Sequence, residues 1–148
     1  MLKNYTSEGR NTFDKIQSIL SQNGANKIMY DYAKDGTGRL EAITFAMELE
    51  GKQIGFRMPA MVDNVVEIMY GGVDRYGREK KVTAAMRDQA YKTAWANIRD
   101  WIDAQMALVA TKQARVEQVF LPYLIVGKND ETLFDKISKE QFALGDGK

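Results

Sequence analysis

Few residues in this chain are equipped for covalent chemistry. It has 148 residues and neither histidine nor cysteine. That removes the commonest general base, the commonest zinc ligand, thiolate nucleophiles and disulfides. A serine or threonine nucleophile would need an activating base, and no spacing marks one. Asp100 and Asp103 stand three apart on a helical stretch, so both carboxylates reach toward one point in space. No third acidic ligand is placed by spacing, and the pair reads as a solvated helix face. Gly71-Gly72 is too short for a phosphate loop, and Gly36 and Gly38 sit in a hairpin turn. Neither matches the P-loop or the dinucleotide fingerprint. The expectation is a non-enzymatic protein with no metal and no cofactor.

Binding chemistry is better represented. Arg75, Arg78, Lys80, Lys81, Arg87 and Lys92 form the densest basic stretch, set against Asp74, Glu79 and Asp88. Tyr76 lies inside it. Loop cations beside an aromatic ring can follow a phosphate backbone while the ring stacks on a base. Arg57 and Lys27, on the open face of a sheet, would extend such a groove. The plain alternative is a solvated loop, and a net charge of +1 gives no global basic field. Arg87 falls on the apolar side of its helix with Tyr91, Ala94 and Trp101. It must find the surface, a ligand, or an internal partner such as Glu67. Trp101, Phe120, Leu121 and Tyr123 form an aromatic and apolar group suited to docking a partner.

These residues need elements to hold them. Val82 to Tyr123 reads as a long amphipathic helix, a shorter helix, and a stop at Phe120-Leu121-Pro122-Tyr123. Tyr91, Trp95, Ile98, Ile102 and Val109 recur at helical spacing, as do Ala94, Trp101, Gln105 and Leu108. Both tryptophans belong to this stripe, and core packing is the plain reading of each. Upstream, Asn4 to Asn11 reads as loose, Thr12 as an N-cap, and Phe13, Ile16, Ile19 and Leu20 as a helix ending at Asn23-Gly24. Ile28, Tyr30 and Tyr32 alternate, as do Ile43, Phe45, Met47 and Leu49, and then Ile54, Phe56 and Met58. Turns at Asp35–Gly38 and Glu50–Lys52 join them into an antiparallel meander. Its inner face carries Ile28, Tyr30, Tyr32, Phe45, Met47, Phe56 and Met58. Its outer face carries Lys27, Asp31, Thr44, Glu48, Gln53 and Arg57. Pro59 is placed to open a helix bearing Met61, Val65, Ile68 and Met69. Leu124-Ile125-Val126 reads as a short extended segment, and Leu133, Phe134 and Ile137 as a final turn of helix.

The fold class expected is α+β. A three-stranded antiparallel meander is packed by helices in the order α-β-β-β-α-α-α, in one domain over 1–148, with loose ends at 1–11 and 140–148. No hydrophobic leader and no membrane-length apolar run is visible, so the cytoplasm is the default location.

Gln89-Ala90, Ala94-Trp95, Ile98, Asp100-Trp101 and Ala104-Gln105, followed by Phe120-Leu121-Pro122-Tyr123, resemble small uncharacterised proteins of phages and prophages. Gly24-Ala25, Phe45 and Phe56-Arg57-Met58-Pro59 share in the resemblance, which runs from about Ile16 to Phe134. It implies a phage context, and with it genome handling or interference with a host system. Three functions follow as expectations. One is single-stranded nucleic-acid binding in replication or recombination, as a homo-oligomer. Another is a protein-binding inhibitor or adaptor that acts on a host protein, such as a defence protein. The third is capture of a small anionic ligand near Arg87.

Overall fold

Alternating side chains on three neighbouring runs leave one face of each strand apolar, and pairing them hides that face once. The computed structural model describes residues 2–140, with side chains from residue 11 onward. Strands β1 (Lys27–Tyr32), β2 (Leu40–Leu49) and β3 (Lys52–Pro59) form one antiparallel sheet in the order β1-β2-β3. Glu50 and Gly51 both have positive φ, at 52° and 81°, the conformation that lets a two-residue hairpin match strand twist. The register puts Phe45 between Ile28 and Phe56, and Ile43 between Tyr30 and Met58. The Phe45 and Phe56 rings stack with centroids 5.2 Å apart.

A bulge sets the near end of the sheet. Asp31 pairs with Ala42 but Tyr32 pairs with Leu40, so β2 carries one extra residue there. One extra residue reverses which face the following side chains meet. Leu40 is thereby turned into the core, although it shares parity with Ala42 on the outer face. Tyr32, expected on the inner face, lies at this irregular end and is exposed.

The middle of the outer face is covered rather than open. Arg57 on β3 reaches Asp31 on β1 with Nε donating across 3.2 Å, which spans the central strand. Beneath that bridge Ala42 and Thr44 are buried. Lys27, Met29, Glu48 and Gln53, away from the bridge, stay exposed. Thr44 Oγ1 is buried without a hydrogen-bond partner.

The helices are α1 (Leu2–Gln22), α2 (Val62–Tyr70), α3 (Ala84–Ala110), α4 (Val116–Val119) and α5 (Leu133–Lys139). Short 3-10 turns at Leu121–Tyr123 and Lys128–Asp130 lie between the last two. Helix α1 begins well before Thr12, which therefore lies inside it and caps nothing. Propagating a nucleated helix adds one hydrogen bond per residue fixed, and Gly9, the poorest helix former in the stretch, opposes it by about 1 kcal/mol. Pro59 closes β3 instead of opening α2, because Ala60 N–H donates to Glu41 O at 3.0 Å and keeps the chain in the sheet. Helix α2 starts at Val62, after a left-handed Met61 (φ 53°). Its inward row is Val62, Val65 and Val66. Met61, Ile68 and Met69, expected in that row, are exposed.

Helix α3 packs against both α1 and α2. Thr83 caps it, its hydroxyl accepting from Met86 N–H at 3.2 Å. Ala90, Tyr91, Ala94, Trp95, Ile102 and Met106 are its buried residues, while Leu108 is exposed. Two bonds tie α3 to β2 at one residue. Leu40 N–H donates to the Tyr91 hydroxyl at 2.9 Å, and Trp95 Nε1 donates to Leu40 O at 3.4 Å. A second aromatic cluster closes the far end. Phe120 stands edge-on to Phe45 at 5.2 Å and to Trp101 at 5.3 Å, and Trp101 meets Tyr123 at 5.7 Å. Leu124 then bridges Phe56 and Ile125 bridges Thr132, so the expected extended segment runs beside β3. Expected fraying at the C-terminus falls mostly on 141–148, outside the described residues.

Candidate nucleic-acid interface

The basic stretch is built as a small hairpin. Gly71 ends α2, its N–H donating to Glu67 O at 2.9 Å. A Cβ there would stand 2.4 Å from that same carbonyl, so a larger residue would displace the exit of the helix. Val73 then bridges Glu79, Asp74 N–H donates to Arg78 O at 2.7 Å, and Lys80 N–H donates to Gly72 O at 3.1 Å. Gly77 supplies the positive φ, 79°, that the tip requires. The Asp74 carboxylate organises the inside. It accepts from the N–H groups of Tyr76 (2.8 Å) and Arg78 (3.0 Å) and from Arg78 Nε (3.0 Å). The Arg78 N–H foremost, with the Tyr76 N–H and the Arg78 side chain, holds this carboxyl below the usual carboxylate range.

Tyr76 is thereby presented outward, with 68% of its surface exposed. The Arg75 and Arg78 guanidinium carbons lie over its ring at 5.0 and 5.1 Å from the centroid. Such cation–π contacts are individually weak in water but orient both planar groups. Lys80 and Lys81 follow on the exposed segment leading to the Thr83 cap. Arg75, Tyr76, Arg78, Lys80 and Lys81 therefore share one hairpin. Arg57 does not join them and instead gives its Nε to Asp31 on the outer sheet face.

Arg87 pairs with Asp63 at 3.2 Å, not with Glu67. The apolar docking set divides. Phe120 is completely buried and belongs to the core, Trp101 and Tyr123 are partly buried against it, and Leu121 is exposed. Asp100 accepts from Arg99 Nε at 3.0 Å and Asp103 lies 4.0 Å from Lys15, so the two carboxylates serve separate surface pairs. Among the described residues no cluster of three or more acids, histidines or cysteines is placed to hold a metal ion.

Beside Arg87 lies a cleft whose other walls sequence spacing did not place. The β1–β2 turn, the end of β3, the start of α2 and the first half of α3 enclose about 580 Å³. Arg39, Arg57 and Arg87 line it from three different elements, with Asp35, Glu41 and Asp63. Arg87 on the apolar side of α3 was its one visible signal. Arg39 and Asp63 carried none, because only the bulge and the late start of α2 bring them there.

Compared with protein-family models, curated proteins and solved structures, the chain matches none. Its fold class is α+β, and among the described residues no helix is long and apolar enough to cross a membrane.

Proposed function

We propose that the protein binds single-stranded nucleic acid through the hairpin from Val73 to Lys81, without catalysis, in phage replication or recombination. The observation that carries this reading is the exposed Tyr76 ring with two guanidinium groups over it, held by a turn whose carboxylate is internally satisfied. A ring and planar cations form a stacking surface that tolerates any base, and Lys80 and Lys81 add phosphate contacts. The phage context is part of this proposal and rests on the sequence resemblance alone. Self-association through Leu121 and Val126, which are exposed near the last helix, would repeat the hairpin along a strand.

The test is fluorescence anisotropy with a labelled single-stranded oligonucleotide at low and physiological salt, with light scattering for mass. Binding is expected to weaken with salt by a log–log slope of about −0.7 per phosphate neutralised. Replacing Arg75, Arg78, Lys80 and Lys81 together with Ala is expected to abolish it and leave the thermal transition in place. Undiminished affinity in that variant, or no binding by the parent protein at low salt, overturns the assignment.

A second reading has its own observation. Ile68 is 86% exposed, beside Met69 and Val73 at the base of the hairpin. An apolar group of this kind suits a protein partner, such as a host defence protein. Salt-tolerant capture of one specific host protein, lost in Ile68→Asp, is the outcome that favours it.

A further inference from the structure

We propose that the arginine-lined cleft binds a nucleoside 5′-monophosphate, as a ligand site separate from the hairpin. Its volume of about 580 Å³ lies within the range of small-molecule sites. The argument rests on how its charged residues are engaged. Arg57 gives Nε to Asp31 and Arg87 gives one Nη1 to Asp63, each across 3.2 Å. A guanidinium has five N–H donors, so both retain donors for a ligand anion. Arg39 pairs with Asp88. Asp31 and Asp88 are not part of the cleft wall, so neither of these two ion pairs is made across the cleft.

Asp63, the partner of Arg87, is the exception. It lines the cleft, yet its side chain is 92% exposed. An exposed ion pair contributes little, so an incoming anion can take its place on Arg87 at small cost. Arginine donors that reach an anion from more than one element suit a tetrahedral phosphate better than a planar carboxylate, which offers only two oxygens.

The remaining wall selects what the phosphate is attached to. Inorganic phosphate would leave most of the space empty. Asp35 and Glu41 also line the cleft. Asp35 is held below the usual carboxylate range, chiefly by the Thr37 hydroxyl and then by the Thr37 N–H, so it stays an acceptor. Two acceptors beside three guanidinium groups match a ligand that carries hydroxyl donors next to its phosphate, as a ribose does. They also oppose a longer phosphate chain, whose added charge would face the carboxylates. Pro59, Met61 and Val62 add apolar wall for a base.

Isothermal titration with the four ribonucleoside 5′-monophosphates tests this, with the matching nucleosides and inorganic phosphate as controls. At least one monophosphate is expected to bind at micromolar concentration, with its nucleoside and inorganic phosphate far weaker. Arg87→Gln is expected to weaken binding about tenfold, the value of one charge-assisted contact. Asp63→Asn removes the competing carboxylate and is expected to strengthen it. Both positions are exposed, and circular dichroism checks that each variant folds. The hairpin variant lacking Arg75, Arg78, Lys80 and Lys81 is expected to bind the monophosphate unchanged, so failure here and failure of strand binding are separable. Competition by a 5′-phosphorylated oligonucleotide, with none from its 5′-hydroxyl form, would assign the site to strand ends. Displacement by free nucleotide alone would assign it to a soluble ligand, and either upholds the phosphate site. Millimolar or absent binding, nucleosides binding equally well, an unaffected Arg87→Gln, or loss of binding in the hairpin variant would each overturn it.

Discussion

Trp95 and Tyr76 are both aromatic residues close to charged ones in sequence, and the fold treats them in opposite ways. Trp95 is 1% exposed, meets Phe13 edge-on at 5.2 Å, and bonds the β2 backbone through its indole. Tyr76 stands in solvent at the tip of a hairpin with only guanidinium groups over it. Around Trp95 the apolar residues recur at helical spacing, and Tyr91, Ala94, Ile102 and Met106 are buried with it. Around Tyr76 they do not, and Ile68 and Val73 are left outside. Trp95 therefore contributes to stability, while the recognition proposed above falls to a residue outside the core. Substitutions should separate the two cleanly.

The largest effect tests that separation directly. Trp95→Ala or Phe120→Ala is expected to lose about 3–5 kcal/mol, because each leaves a cavity in a closely packed cluster. Tyr76→Ala is expected to stay within about 0.5 kcal/mol of the parent. Urea denaturation with unchanged slope reads both. A loss at Tyr76 approaching that at Trp95 would make the hairpin part of the core and collapse the contrast. A smaller effect of opposite sign comes from the outer sheet face. Thr44→Val keeps the shape and removes a buried hydroxyl with no partner, so a gain of about 1 kcal/mol is expected. A loss instead would mean that the hydroxyl is satisfied in solution. Thr83→Ala removes the cap between hairpin and α3, and about 1 kcal/mol should go with it. If strand binding falls as well, the cap also positions the hairpin.

The contrast also explains what sequence could reveal. The meander, the long helix and the Trp95 stripe were legible because their residues repeat at periods of two and of three to four, and burial follows period. Phe45, Phe56 and Trp95 all lie where that rule puts them. It failed where a single backbone event breaks the period. The extra residue on β2 turned Leu40 inward and left Tyr32 outside. The left-handed Met61 delayed α2 and replaced Ile68 with Val66 on the buried side. The hairpin cations were readable as a run of charge, since neighbours in sequence stay neighbours in a short turn. The cleft was not, because Arg39, Arg57 and Arg87 come together only through long-range packing. Nor was the bridge from Arg57 to Asp31, which needs the register of three strands.

The smallest effect asks whether the hairpin acts by its shape or only by its charge. The Asp74 carboxyl titrates below its ordinary range because the Arg78 N–H, the Tyr76 N–H and the Arg78 side chain bind its charged form. A depressed folded value contributes order above the unfolded value, near pH 3.9 for an aspartate, and loses it as pH falls through the folded one. The amide resonances of Tyr76 and Arg78 should therefore hold steady down to about pH 4 and shift only below it. The Thr37 amide, bonded to Asp35 in the same fashion, should behave alike and serves as an internal reference. Asp74→Asn carries the question to neutral pH. It removes one negative charge beside the cations and weakens the bonds that form the turn. If charge alone attracts the strand, this variant binds more tightly. If the turn must hold Tyr76 and its two guanidinium groups in place, it binds more weakly despite the extra positive charge. Weaker binding is the outcome expected, because the three bonds to Asp74 set the positions of Tyr76 and Arg78 together.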